Sequence, residues 1–291
     1  MERKAHVDAA GAVMLIGFAA LMAFNQVVIK VSGGGFGPIF MAGLRSLGAI
    51  AVMLIWMRLR GIALTTPKSA HLGGVIVGVL FAVEFMAIYT ALDITTVARA
   101  SIMLYSMPVW LAIAGHFLLP GEALTGKRVV GLSIAMAGVT LALLDRGGGS
   151  ASLKGDLLGV FAAMCWAGIA LTVRLTPLSQ VRPEIQLFWQ IAISAPILLL
   201  VAPVTGDLFR EVEAIHLWGL AFQILCIASF GFLFWFWLLA RYPASGVASF
   251  SFLSPVLAVF MGWALLGERV ALSTWFALGL VTLGLVLINR K

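Results

Sequence analysis

Apolar residues run along this chain in stretches of about twenty, broken by glycine, proline or charge. They show neither the alternation of a half-buried strand nor the single stripe of a surface helix. Crossing about 30 Å of hydrocarbon takes about 20 helical residues at 1.5 Å each. The breaks divide the chain into ten such runs, at about 9–32, 36–58, 71–93, 96–118, 126–145, 154–177, 183–205, 214–240, 244–266 and 271–289. The linkers are short, and the longest polar one, Asp145 to Lys154 with Gly147, Gly148 and Gly149, falls at the midpoint. The pattern predicts an all-α membrane protein of ten transmembrane helices. Residues 1–8 followed by an apolar run have the outline of a secretory signal. Asn25 and Gln26 interrupt that run and no small-residue cleavage site follows, so it reads as a retained first span.

Composition agrees. The 291 residues are 62% hydrophobic and 11% charged, with mean hydropathy +1.08. A soluble domain carries about 25% charge, so this chain has too few charged groups to cover a wet surface. Cys165 and Cys226 both lie in apolar runs without metal-ligand spacing, and are expected to be free, small hydrophobes. The net charge of +7 is not a nucleic-acid footprint, because the basic residues punctuate the apolar runs instead of clustering on a face.

The basic residues carry orientation instead. Alternating sides from the N-terminus, one side collects Arg3, Lys4, Arg58, Arg60, Lys68, Lys127, Arg128, Arg174, Arg182, Arg241, Arg290 and Lys291, twelve in all. The other collects five: Arg99, Arg146, Lys154, Arg210 and Arg269. That bias predicts a multi-pass protein of the cell inner (plasma) membrane with both termini cytoplasmic.

The two halves repeat. Ser106-Met107-Pro108 corresponds to Leu253-Ser254-Pro255, with the prolines 147 residues apart; Gly115 and Gly262 are also 147 apart. Glu122 and Glu268, and Gly138 and Gly284, are 146 apart, so Pro120 reads as a one-residue insertion. Phe24 matches Trp166 earlier in each half. The repeat divides the chain into residues 1–146 and 147–291. Five spans per half is an odd number, so the second half enters the membrane from the opposite side. Such inverted repeats suit alternating access around a midplane site; duplication kept only for packing is the competing reading.

Ala98, Ser101, Pro108, Gly115 and Gly121-Glu122, and in the second half Ala248, Ser249, Pro255, Gly262 and Gly267-Glu268-Arg269, make the chain resemble the EamA-domain family of the drug/metabolite transporter superfamily over essentially its whole length. The resemblance implies a ten-helix bundle whose halves enclose a central cavity. The aromatic richness makes the chain similar, within that superfamily, to the bacterial aromatic amino-acid exporter (YddG-like) branch.

Ionisable groups at bilayer depth are costly and mark candidate sites. Arg45 sits near the middle of the second span and Glu84 near the middle of the third. They read either as a structural pair or as groups for a substrate carboxylate and for an ammonium or proton. Lys30 is expected to snorkel from the end of its span, Arg99 to lie at the interface, and Glu122 and Glu268 to stabilise the N-terminus of the helix that follows each. Pro108 and Pro255 each remove a helix hydrogen bond in mid-span and are candidate hinges. Ser101, Tyr105 and Pro108 share a helix face, as do Ala248, Phe252 and Pro255. Tyr105 with Phe252, and Phe24 with Trp166, are therefore expected to form an aromatic box for a planar ligand, against the plainer reading of core packing. Trp235 from the aromatic eighth span, and polar Asn25, Gln190 and Ser249, complete the candidate set.

No catalytic pair, metal constellation or nucleotide-binding motif is present, so neither an enzyme nor a cofactor is expected. The expected function is secondary transport of amino acids or related metabolites, aromatic amino-acid export favoured, with small-molecule substrate and lipid as partners and a monomer sufficient. The alternatives are multidrug or organic-cation efflux, then a membrane enzyme or lipid scramblase. The absence of a glutamate from the first span weakens the cation reading.

Overall fold

Hydrocarbon supplies no hydrogen-bond partners, so a spanning backbone must satisfy itself, and this chain does so with helices. The computed structural model describes residues 6–119, 122, 124–144, 152–242, 250 and 252–289. Ser249, Ala248, Gly121 and the midpoint glycines lie outside the described residues. The helices are α1 (Ala9–Ser32), α2 (Pro38–Leu59), α3 (Lys68–Ile94), α4 (Val97–Leu104), α5 (Met107–Leu118), α6 (Gly126–Leu144), α7 (Leu153–Leu175), α8 (Pro183–Thr205), α9 (Ala214–Phe222), α10 (Phe232–Arg241), α11 (Leu253–Leu266) and α12 (Leu272–Asn289). A π-helical segment, Gln223–Gly231, joins α9 to α10 without a break. Among the described residues there is no strand, only an isolated bridge between Phe36 and Phe209.

Among the described residues, eight stretches are long and apolar enough to cross a membrane: α1, α2, α3, α4 with α5, α6, α7, α8, and α9 running through the π segment. Helices α11 and α12 are apolar but shorter. Of the ten expected runs, eight are thus full spanning helices; the ninth, 244–266, begins outside the described residues.

Local chemistry sets the boundaries. Asp8 Oδ1 accepts the Gly11 N–H at 2.8 Å and starts α1. Proline opens α2 and α8, where its missing N–H costs nothing. Pro108 acts more sharply than a kink: its ring opposes the carbonyl four residues earlier, and the span divides into α4 and α5 at Tyr105–Ser106. Pro255 likewise falls in the first turn of a helix, α11.

The two halves interlock rather than sit side by side. Helix α2 packs on α8, α6 on α12, α3 on α7, and α1 on α11. The α6–α12 crossing is self-complementary: a Cβ on Gly131 would meet the Gly284 carbonyl, one on Gly138 the Ala277 carbonyl, and one on Gly284 the Gly131 carbonyl. Exchanging the halves by 146 residues turns the pair Gly131/Gly284 into Ala277/Gly138, which is the behaviour of contacts across a two-fold axis. Small residues are what allow such backbone approach in lipid.

One end of the bundle is tied by buried charge. Arg99 and Asp156 are 2% and 0% exposed. Arg99 Nε donates to the two Asp156 carboxylate oxygens at 3.1 and 3.2 Å, and Nη2 donates to Oδ2 at 2.6 Å and to the Ala142 carbonyl at 2.5 Å. Thr95 Oγ1 donates to the same carboxylate at 3.2 Å. Arg99 is therefore no interfacial residue; it joins α4, α6 and α7. Lys30 does not snorkel either: Nζ donates to the carbonyls of Leu92 at 2.8 Å and Thr95 at 2.6 Å, closing the C-terminal end of α3. Arg210 pairs with Asp93 at 2.6 Å and donates to the Gly33 carbonyl at 2.7 Å. Each contact lies far away in sequence, so hydropathy alone gave no sign of it.

Removing one partner of a buried ion pair strands the other. Arg99→Ala and Asp156→Ala should each cost about 3–5 kcal/mol, and replacing both residues with apolar ones far less. Thermal unfolding in detergent, followed by size-exclusion recovery, reads the difference.

Candidate functional site

The middle of the bundle reverses this economy of polar groups. Arg45, on α2, is 2% exposed, yet its Nε and Nη1 have no hydrogen-bond partner. Its guanidinium lies 4.5 Å from the centroid of the Phe85 ring on α3, a cation–π contact. Glu84, the preceding residue on α3, is 7% exposed with Oε2 unpartnered. The two side chains feel each other's charge but form no hydrogen bond through these atoms. A buried charge left incomplete costs several kcal/mol per ion. Such groups persist where water or a ligand completes them.

Around the pair, α3 presents an aromatic ladder at four-residue spacing. Phe81 and Phe85 have ring centroids 4.2 Å apart, and Phe85 and Tyr89 5.5 Å. Tyr89 donates its hydroxyl to Gln223 Oε1 at 2.6 Å, and Gln223 Nε2 reaches the Met41 sulfur at 3.9 Å. Gln223 is the first residue of the π segment, whose extra residue per turn re-aims side chains on that span. On the opposite flank, Cys165 of α7 lies within the field of Glu84. Its neighbour Trp166, in the second repeat, meets Tyr105 edge-on at 6.1 Å. The α4–α5 break at Tyr105 thus faces the second repeat. Both cysteines are free.

The expected site residues divide into those the fold gathers and those it separates. Arg45 and Glu84 come together, as do Tyr105 and Trp166. Ser101, on α4, is buried with its hydroxyl unpartnered, and Asn25 and Gln26, on α1, each keep an unpartnered carbonyl oxygen. The four-aromatic box is not assembled. Phe24 is 39% exposed and meets Phe222 edge-on at 5.5 Å, while Phe252 packs into the apolar cluster of Ala98, Ile102, Val109 and Val259. Trp235 stacks on Phe18 at 5.0 Å within a separate cluster with Leu15 and Tyr242. Gln190 is half-buried on α8. Sequence symmetry pairs residues by position in the repeat, but the halves occupy different environments, so equivalent rings need not converge. Phe85, Tyr89, Gln223 and Met41 were missed; the readable signals were a tyrosine four residues after Phe85 and a lone glutamine in an apolar span.

Glu122 and Glu268 also depart from expectation. Glu268 accepts the N–H groups of Val97 at 2.7 Å and Ala98 at 3.1 Å, so it caps α4 in the other half rather than the helix that follows it. Glu122 pairs with Arg174 at the opposite end of the bundle.

The family described as EamA-like transporter matches this chain twice, over residues 9–144 and 153–290. An uncharacterized transporter of Bacillus subtilis, YoaV, is 25% identical over 89% of each chain. A "Probable amino-acid metabolite efflux pump" of Escherichia coli is 27% identical over 91% of this chain and 87% of its own. An aromatic amino acid exporter, YddG, of Ancylobacter novellus is 28% identical over 53% of this chain and 54% of its own. A solved crystal structure shares the fold with a TM-score of 0.65 at 23% identity, covering 95% of this chain and 98% of that one. The chain belongs to the EamA-like transporter family and is an all-helical, multi-pass membrane protein built of two EamA repeats.

The Tyr89–Gln223 bond links α3 to the π segment. Tyr89→Phe should destabilise by about 1–3 kcal/mol because the buried Gln223 oxygen loses its donor. Tyr89→Phe with Gln223→Leu should recover most of that loss, as a double-mutant cycle of melting temperatures will read.

Proposed function

We propose that this member of the EamA-like transporter family exports amino acids, aromatic ones foremost, across the cell inner membrane by alternating access. The observation that carries the reading is the Arg45 guanidinium, buried at mid-span with two nitrogens unpartnered. A planar guanidinium offers parallel N–H donors that match a carboxylate. Glu84, with its own unpartnered oxygen, then receives the α-ammonium or a coupling proton. Tyr105 and Trp166 supply apolar edges for a ring. Ser101, Asn25, Gln190 and Ser249 are the secondary polar candidates, while Pro108 and Pro255 bound the moving helices.

Ten spans in two inverted halves, with both termini cytoplasmic, fit the twelve-to-five division of basic residues. The self-complementary α6–α12 crossing supports the inversion, since it relates the halves by a two-fold operation. The efflux and export functions named for the Escherichia coli and Ancylobacter relatives point to the same class. Organic-cation efflux is the second reading, favoured by the unpartnered Glu84 oxygen and opposed by the buried cation beside it.

Proteoliposome flux with a panel of labelled amino acids, nucleosides and quaternary amines tests the proposal. Amino-acid flux should fall about thirtyfold or more in Arg45→Ala, the equivalent of losing about 2 kcal/mol or more of binding. Arg45→Lys should recover only part, because an ammonium cannot make the bidentate contact. Glu84→Gln should abolish any dependence of flux on a proton gradient. Transport of quaternary amines but not amino acids, or full amino-acid flux in Arg45→Ala, would reject the reading.

A further inference from the structure

Of the ties between the repeats at the polar end of the bundle, two hold α4, and they differ in how easily they part. The Arg99–Asp156 pair is buried on both sides. Separating it would strand two charges in a dry interior, so it stays closed. Glu268 is only half-buried. Its carboxylate holds the N–H groups of Val97 and Ala98, the first two donors of α4 and 170–171 residues away in the chain. These are orphan donors at a helix N-terminus, where negative charge is also favoured by the peptide dipoles. When this contact opens, the half-buried Glu268 carboxylate meets water and no buried charge is stranded, although Val97 and Ala98 are themselves buried, so release costs the cap of two N–H groups and not an ion pair.

Two further features make the contact a moving part. Gly262, one turn before the end of α11, clears the space: a Cβ there would lie 2.6 Å from Glu268 Oε2 and 3.3 Å from the Val97 Cβ. At its other end, α4 is separated from α5 by the Tyr105–Ser106 break. Helix α4 is therefore a short lever, pinned by Arg99, hinged at Tyr105 and held against the opposite repeat by Glu268. The equivalent pair in the first repeat, Gly115 and Glu122, has the same close relation, with a Gly115 Cβ falling 3.1 Å from Glu122 Oε2, but Glu122 grips the half-exposed Arg174.

We propose that Glu268 is the detachable latch of the gate at this end, and that Gly262 is the residue that lets it close. The proposal rests on the alternating-access reading above. With the latch engaged, α4 seals the path from the Arg99 end to the Arg45–Glu84 region; with it released, α4 swings about Arg99 and Tyr105 and opens that path.

Cys165, free and buried midway along α7, is a native reporter of the path. In a Cys226→Ser background, labelling of Cys165 by a membrane-impermeant thiol reagent is followed from each side of sealed vesicles. Glu268→Ala should speed labelling from the Arg99 end about tenfold, the population shift expected for losing one cap of ordinary strength. Gly262→Ala, which keeps the charge but displaces the carboxylate, should act in the same direction. Glu122→Ala should leave the rate from the Arg99 end unchanged. Size-exclusion profiles identify any variant that fails to fold, and Gly262→Ala and Glu268→Gln then carry the comparison. Wild-type labelling rates in folded Glu268 and Gly262 variants would overturn the latch, as would an equal acceleration by Glu122→Ala. Labelling needs no substrate, so a flux panel that finds none defeats the transporter reading while leaving the latch result standing.

Discussion

Inside a bilayer no water completes a polar group, and the arrangement of this protein follows from where its polar atoms find partners. At the Arg99 end four charged groups are matched: Arg99 by Asp156, Arg210 by Asp93, Lys30 by helix carbonyls, and Glu268 by helix N–H groups, with Arg99 Nη1 left over. In the middle, Arg45, Glu84, Ser101, Asn25 and Gln26 all retain buried atoms without a partner. Two regions under the same solvent constraint have opposite outcomes. The first is how the fold is held, and the second is where incomplete groups await completion.

Packing positions that contrast. Glycines let α6 and α12 cross backbone to backbone and let α11 approach α4, so the halves interlock about a two-fold axis instead of meeting at a flat seam. Helix α3 then lies between α2, α7 and α8, which brings Glu84 and Phe85 into the middle of the bundle. The π segment turns Gln223 toward Tyr89, and the proline-broken fourth span turns Tyr105 toward Trp166. These two irregularities thus coincide with a polar or aromatic contact between repeats, the places where a regular helix would have hidden those groups behind its own surface.

Repetition in sequence did not give repetition in environment. Glu122 and Glu268 occupy equivalent positions, yet one pairs with an arginine side chain and the other with a helix terminus. Phe24 and Trp166 are equivalent as well, and meet different partners. A two-fold related pair of halves in a single conformation must present one end differently from the other, and these pairs are where the difference is expressed. The aromatic box expected from symmetry therefore reduces to a single pair, Tyr105 with Trp166.

The sequence by itself determined the membrane class, the positions of most apolar helices, the repeat, an irregularity at Pro108 and the two mid-span charges. All of these depend on local composition and on the fixed rise of a helix. Only the tertiary structure decided that Arg99 and Lys30 are internal ties, that Glu268 caps a helix in the other half, and that Tyr89 and Gln223 border the site. Those contacts join residues 57–171 positions apart. A side chain's hydropathy records the cost of burying it, while the partner that offsets the cost is set by which helices the packing brings together.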